Sequence, residues 1–334
     1  MILILSIEQD ESTIDIIRWL SYLKEDFILL NNNELINSLT VNINTSEVFI
    51  TTKDATVNFN EITSVWYRRG NFKLDDCIEM KDFIGDKITE FYNEEKKDLF
   101  EYLHFLLNQK PSINNYNFKK VNKLIVLTLA KQLGLCIPKT TITNQKKVLR
   151  EELKNKLLIT KPINDPMSLY GDTYWLPTYT TSINTEKADL FDDTFGISLF
   201  QENIKKTLEI RSYFLDGEFY SMAIFSQLDE QTKTDFRCYN NQKPNRTIPF
   251  NLPSDIEIKL KALAEKLNLT SCSFDLIYTP SKQYVFLEVN PIGQFGMVSY
   301  PCNYYLEEKI AYKLKNYDIS ERSATVIKQN ERRV

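Results

Sequence analysis

Apolar and polar positions in this chain switch repeatedly between strand-like alternation and helix-like spacing. ILILS at residues 2–6 reads as a buried strand, and Ser12 or Thr13 can cap a helix that carries Ile14, Ile17, Trp19, Leu20 and Leu23. FILL at 27–30 predicts a second strand. Short β-branched runs from Val41 to Val57 predict a meander that ends in a polar turn near Asn58–Glu61. ITSVWYRRG predicts a strand that stops at Arg68, Arg69 and Gly70, and an amphipathic pattern from Ile84 to Gln109 predicts a long helix. Arginines just beyond an apolar strand stand where α/β folds place ligands; a solvated pair flanking the strand is the plainer reading.

KPSINNYN reads as a loop and a domain boundary. A helix is expected over Phe118–Leu133, stopped by Gly134, then a strand in CIPKTTIT and a charged helix over Lys146–Asn155. LLITKPI is an apolar strand bearing Lys161, whose ammonium either snorkels to solvent or meets an anion. NDPMSLYGDTYW is turn-rich and compatible with a mobile flap; strand-like WLPTYTTSI and acidic EKADLFDD follow. ISLFQENI reads as a strand, and KTLEIRSYFLDGEFYSMAIFSQ as a hairpin turning at Asp216-Gly217, with Glu209 and Arg211 on one face. TDFRCYN sets Asp235 and Arg237 in a similar relation. An amphipathic helix is expected over Pro253–Leu267 and a closing helix over Pro301–Leu314, with a frayed polar tail after about residue 320.

Between these last helices FDLIY and YVFLEVN flank a Pro280-Ser281-Lys282 turn and predict a hairpin. If the turn centres near Ser281 and Lys282, Asp275 opposes Glu288, and Glu288 shares a face with Asn290. Two carboxylates and a carboxamide on one face of an apolar hairpin need a balancing cation or proton. Such hard oxygen donors suit Mg²⁺. Solvated polar trim is the competing reading of the hairpin taken alone.

Composition narrows the chemistry. The chain has 334 residues, enough for two or three domains, with 43% hydrophobic and 26% charged residues. A net charge of −4 gives no sign of nucleic-acid affinity, and no apolar run approaches the roughly 20 residues of a membrane span. The N-terminus has no basic segment and turns acidic early, which does not read as a signal peptide. Five scattered cysteines without a CxxC pair disfavour a disulfide framework or a zinc site and fit the cytoplasm. One histidine, His104, sits in an apolar helical run, which disfavours His-based catalysis. The 8 glycines form neither a GxGxxG nor a P-loop. Chemistry is left to carboxylates, lysines and arginines.

The order of these signals resembles the ATP-grasp superfamily. The likeness rests on Lys123 in a helix, Lys161 in a strand, a strand running into QENI, then Glu-X-Arg, a second arginine, and Asp followed by Glu-X-Asn on a hairpin. SVWYRRG, EIRSYFLDGEFYSMAIFSQ, DFR and FLEVNPIGQF are similar to graspetide (microviridin-type) peptide ligases; ILILSIEQDESTIDIIRWL and NYYLEEKIA resemble the grasp-with-spasm maturases. The resemblance implies an α/β ATP-grasp fold: a pre-ATP-grasp lobe over 1–112, a central lobe over 113–200, a C-terminal lobe over 201–318 and a flexible tail over 319–334. It implies that Lys123 and Lys161 bind ATP phosphates, that Gln201, Glu202, Asn203 and Ile204 clasp adenine, and that Glu209 contacts the ribose. Arg211 and Arg237 would hold the transferred phosphate. Asp275, Glu288 and Asn290 would ligate two Mg²⁺. Asp235 is a possible base, and Arg68 and Arg69 possible contacts for an acidic core peptide. Where many ATP-grasp proteins have a glycine-rich loop, the equivalent stretch after Lys161 has only Gly171, so flap residues have no assignment.

The implied activity is macrocyclisation of a ribosomal precursor peptide. Asp or Glu side chains would be joined to Ser or Thr as ω-esters, or to Lys as ω-amides, through an acyl phosphate. The resemblance implies a leader-plus-core peptide as partner, and homodimers, which the family often forms; no nucleic acid or membrane is expected. A glutamate or small-molecule carboxylate–amine ligase shares the same ATP residues. A catalytically silent ATP-binding protein is disfavoured by the intact Asp275, Glu288, Asn290 and Arg237.

Overall fold

The computed structural model describes residues 1–317 except 76–82, 119, 155, 165–167, 171–174, 178–179, 229–241 and 243. The chain divides into two compact units: Met1–Lys119 with Gln294–Ser299 and the segment from Tyr305, and Lys120–Gly293 with Tyr300–Tyr304.

The first unit is built on a parallel sheet ordered Phe27–Asn31, Ile2–Ser6, Ser64–Tyr67, Ser112–Ile113. Ile2–Ser6 is flanked on both sides and wholly buried, which is why it reads as an unbroken apolar run. Asp10 caps the following helix, Glu11–Tyr22, by accepting from the Thr13 N–H. The meander forms over Ser38–Asn42, Glu47–Thr51 and Thr56–Asn58. Its Val48, Ile50 and Val57 join Leu3, Leu5, Val65, Leu103 and Leu107 in one core. The last two come from the long helix Phe83–Leu107. His104 is buried there, its Nε2 2.9 Å from Asn71 Oδ1 and its ring stacked on Tyr116, a packing role.

Among the described residues the second unit holds two larger antiparallel sheets and a two-stranded one. One is ordered Thr181–Ile183, Leu158–Lys161, Thr194–Glu202, Thr140–Gln145. The other is ordered Thr247–Phe250, Glu218–Ile224, Leu208–Leu215, Ser271–Tyr278, Tyr284–Asn290. Leu208–Leu215 is buried at all eight positions. Its hairpin partner follows a turn in which Asp216 and Gly217 have φ of 47° and 98°, the left-handed pair of a tight hairpin. Ser168–Tyr170 pairs with Trp175–Pro177 within the turn-rich segment expected to act as a flap; residues 165–167 and 171–174 of it lie outside the described residues.

Four expected boundaries differ. KPSINNYN contains a two-residue strand, Ser112–Ile113, too short to show a period. The helix expected from Phe118 starts at Lys123, because Asn122 accepts from the Leu124 and Ile125 N–H groups and caps it there. The run expected as the single strand WLPTYTTSI gives two, Trp175–Pro177 and Thr181–Ile183. The expected closing helix is two helices. Pro301 sits near the end of Gly296–Cys302, Asn303 and Tyr305 both adopt φ of 53°, and a second helix runs over 306–317. A proline N–H deficit and two left-handed residues break the run. Ser299 Oγ accepts from the Leu306 N–H (2.9 Å) and donates to Glu307 Oε2 (2.6 Å), anchoring the restart.

Candidate active site

Strand register aligns the charged residues of the five-stranded sheet. Arg211 pairs with Asp275 on the neighbouring strand, and Asp275 pairs with Glu288 on the next. Directly opposed residues share a face, so the three side chains form one row across the sheet. Glu209 and Ile277 form the next row on that face, two residues along each strand. Ser273 pairs with Asn290 on the other side. The hairpin expected between 275 and 288 therefore has the predicted register, with one irregularity. Leu276 pairs with Phe286, so Leu287 is the extra residue of a bulge beside Glu288.

Each carboxylate of the row faces a cation. Arg211 Nε lies 3.4 Å from Asp275 Oδ1, and Lys161 Nζ lies 3.7 Å from Glu288 Oε2. Both separations exceed an ordinary charge-assisted hydrogen bond. A cleft opens over this face, and its lining includes Lys161, Glu209, Asp275 and Glu288. Gln201, Glu202, Asn203 and Ile204 line the same cleft, so all four expected hinge residues meet the charged row. Gln201 Nε2 donates to Thr140 Oγ1 (2.9 Å), while its Oε1 is buried without a hydrogen-bond partner. The Glu202 N–H is taken by the Lys139 carbonyl (3.0 Å) and the Asn203 N–H by that of Leu157 (2.9 Å). Lys123 lines a smaller adjoining cavity with Lys161 and Glu288, and its Nζ donates to the Asn164 carbonyl (3.0 Å).

The donor set fits a hard cation. Among the described residues no group of three or more His, Cys, Asp and Glu side chains could hold a metal. Two carboxylates are held opposite one another, and Asn290 is exposed, with Oδ1 accepting from the Ile292 N–H (3.1 Å). Mg²⁺ takes few protein ligands and completes its shell with water and phosphate oxygens, so this set suits it.

Arg237 and Asp235 lie outside the described residues. Arg68 and Arg69 lie in the first unit. Arg68 is 4% exposed; its Nε donates to Asp10 Oδ2 (3.1 Å), and its guanidinium lies over the Phe295 ring at 5.5 Å. Arg69 is 34% exposed, with Nε 3.6 Å from Asp10 Oδ1. The geometry gives Arg68 an internal role and leaves Arg69 the more accessible of the two. The turn is tight: the N–H groups of Arg68, Arg69 and Gly70 all point to the Leu5 carbonyl, and a Cβ on Gly70 would lie 2.4 Å from Ser6 N.

Burial alone would raise the Asp10 pKa, but the Arg68 charge, hydrogen bonds from Thr13 and Arg68, and the Arg69 charge outweigh it and hold the carboxyl below its ordinary value. A depressed folded-state pKa contributes stability above the unfolded value of about 3.8, lost as pH falls through the folded one. Asp10→Asn should cost about 3 kcal/mol near neutrality by breaking the buried Asp10–Arg68 ion pair. In thermal melts the gap from wild type should narrow below about pH 3.8, whereas a pH-independent gap would remove the linkage.

Lys206 was absent from the expected set. It lines the cleft, and its Nζ donates to Glu209 Oε1 (2.8 Å). Its sequence neighbourhood carried no signal for this, because the contact depends on how the segment after Gln201–Ile204 folds back on the carboxylate. Ile159, Ile277 and Leu287 supply apolar cleft wall, and nothing distinguishes them from core residues in sequence.

Residues 1–119 match the family model described as MvdD pre-ATP grasp domain. No curated protein sequence matches the chain significantly. Among solved structures, macrocyclase MdnC of Microcystis aeruginosa MRC, bound with precursor peptide MdnA, is 25% identical over 94% of this chain and 99% of its own, with a TM-score of 0.76. A RiPP-associated ATP-grasp ligase of Chryseobacterium gregarium, in complex with ADP and a leader and core peptide, is 24% identical over 95% of each chain, with a TM-score of 0.79. D-alanyl-alanine synthetase A of Vibrio cholerae O1 is more distant: 13% identity over 95% of this chain and 98% of its own, TM-score 0.55. The first 119 residues are therefore similar to a pre-ATP-grasp domain, and the chain as a whole has the fold of the ATP-grasp ligases.

Proposed function

We propose that the protein is an ADP-forming ATP-grasp ligase that macrocyclises a ribosomally made precursor peptide. It would join Asp or Glu side chains to Ser or Thr as ω-esters, or to Lys as ω-amides. The carrying observation is the row Arg211, Asp275, Glu288, with Lys161 beside it in the cleft that Gln201–Ile204 also line. MdnC, similar over nearly its full length, supplies the substrate class.

In this reading Gln201–Ile204 clasp the adenine, Glu209 takes the ribose, and Lys123 and Lys161 hold the phosphates. Asp275, Glu288 and Asn290 would hold two Mg²⁺, which when bound polarise the phosphoryl oxygens and offset their charge. A substrate carboxylate attacks the γ-phosphorus, the bond to the β-phosphate oxygen breaks, and ADP leaves an acyl phosphate. Two anions must approach for this, so Arg211 and Arg237 neutralise the transferred group. A hydroxyl or amine then attacks the acyl carbon and phosphate departs. The nucleophile's proton goes to Asp235 or to that phosphate. The same reading assigns leader recognition to the Glu186–Asp193 stretch and its neighbouring strands, and core-peptide contact to Arg69.

A short neighbouring reading frame with repeated Thr or Ser and Asp or Glu near its C-terminus would favour this reading, and the test is incubation of such a peptide with the protein, ATP and Mg²⁺. Mass spectrometry should show loss of one water per linkage, with matching ADP and phosphate. Unchanged peptide mass alongside peptide-independent ATP consumption would sink the macrocyclase reading.

A further inference from the structure

Glu209 enters the cleft from a strand that is buried at all eight of its positions. Its strand is hydrogen-bonded on both sides, with Glu209 paired to Ile224 and to Ile277. The two hydrogen bonds that it accepts from Lys206 Nζ (2.8 Å) and Ser226 Oγ (2.6 Å) both end on Oε1. The two donors differ in kind. Lys206 lines the cleft, and its ammonium can rotate to several acceptors. Ser226 is fully buried in the short turn Ser226–Leu228, just beyond the strand Glu218–Ile224. Gln227 Nε2 lies 3.3 Å from Ser226 Oγ and donates to it, so the serine proton is directed at Glu209.

We propose that Ser226 is a positioning residue that turns Glu209 Oε2 into the cleft, making the site selective for a nucleotide with ribose hydroxyls. This rests on the ATP reading above. A carboxylate is planar, so pinning Oε1 from behind orients Oε2 as well. An ionised carboxylate only accepts, and its complement is a donor. The Lys206 ammonium pairs with Glu209, and a vicinal diol supplies one more donor than a deoxyribose does. Lys206 alone would neutralise the carboxylate without choosing which oxygen faces the ligand.

The experiment compares equilibrium binding of ATP, 2′-deoxy-ATP and 3′-deoxy-ATP by wild type and Ser226→Ala. The wild type should prefer ATP over the weaker analogue by roughly tenfold or more, the scale of a hydrogen bond to a charged group. In Ser226→Ala, ATP binding should weaken several-fold while the weaker analogue is unchanged, so the preference collapses towards unity. A preserved preference, or parallel weakening of all three nucleotides, overturns the role of Ser226. Failure of the wild type to bind ATP overturns the reading of the cleft itself. Thermal melts of the two proteins separate either result from a folding defect.

Discussion

Glu288→Gln is expected to lower kcat by at least about 1000-fold while leaving the fold in place. The substitution keeps shape and volume and removes one charge. Glu288 is 24% exposed, and its ion pair with Lys161 spans 3.7 Å. A pair so long and partly solvated contributes at most about 1 kcal/mol. The bulge at Leu287 and the pairing of Asp275 with Glu288 are backbone features that glutamine preserves. Function is another matter. Charge stabilisation by bound metal is worth several kcal/mol at a transferring phosphoryl group, and each roughly 1.4 kcal/mol is a factor of ten in rate. The measurement is single-turnover formation of ADP and cyclised peptide, beside a denaturant melt. Wild-type rates in this variant would refute the metal assignment. A collapsed melt would instead make Glu288 a structural residue.

The hairpin at the centre of this prediction was legible because two constraints coincided. Strand alternation put Glu288 and Asn290 on one face, and the Pro280-Ser281-Lys282 turn set the offset that brings Asp275 opposite Glu288. Lys282 takes a φ of 62° there, and the loop closes through Thr279 and Gln283. The bulge at Leu287 was not legible, since YVFLEVN alternates no differently with one residue extra. Glu209 could be singled out from its place on the strand, but Lys206 and Ser226 could not. Their contacts depend on how the segment after Gln201–Ile204 and the turn after Ile224 fold back on one carboxylate. Arg68 shows the converse. Two arginines after an apolar strand suggest a ligand contact, yet Asp10, 58 residues earlier, captures the first of them inside the unit. Helix ends followed the same logic: Gly134 stops its helix at φ 77°, as its sequence position suggests, whereas the start awaited the Asn122 cap.

Gly293→Ala should be the most damaging single-methyl change near the site. A Cβ at Gly293 would lie 2.0 Å from Ser273 Oγ, 2.5 Å from Ser273 Cβ and 2.8 Å from Ser273 N. The first contact could yield by rotating a hydroxyl; the last two involve a Cβ and a backbone atom of a strand buried in the sheet. The loop must therefore move, and Asn290 moves with it. The Gly293 N–H donates to the Asn290 carbonyl (3.1 Å), the Ile292 N–H holds Asn290 Oδ1 (3.1 Å), and Asn290 pairs with Ser273 itself. Overpacking of this kind costs about 1–3 kcal/mol, and misplacing a ligand by about 1 Å costs on the order of 100-fold in rate. Gly196→Ala is the matched control, because nothing lies within 4 Å of its added Cβ. Denaturant melts and initial rates of the two variants decide the matter. A Gly293→Ala protein as stable and as active as Gly196→Ala would show that the loop does not hold Asn290 in place, and would separate the carboxamide from the Asp275–Glu288 pair.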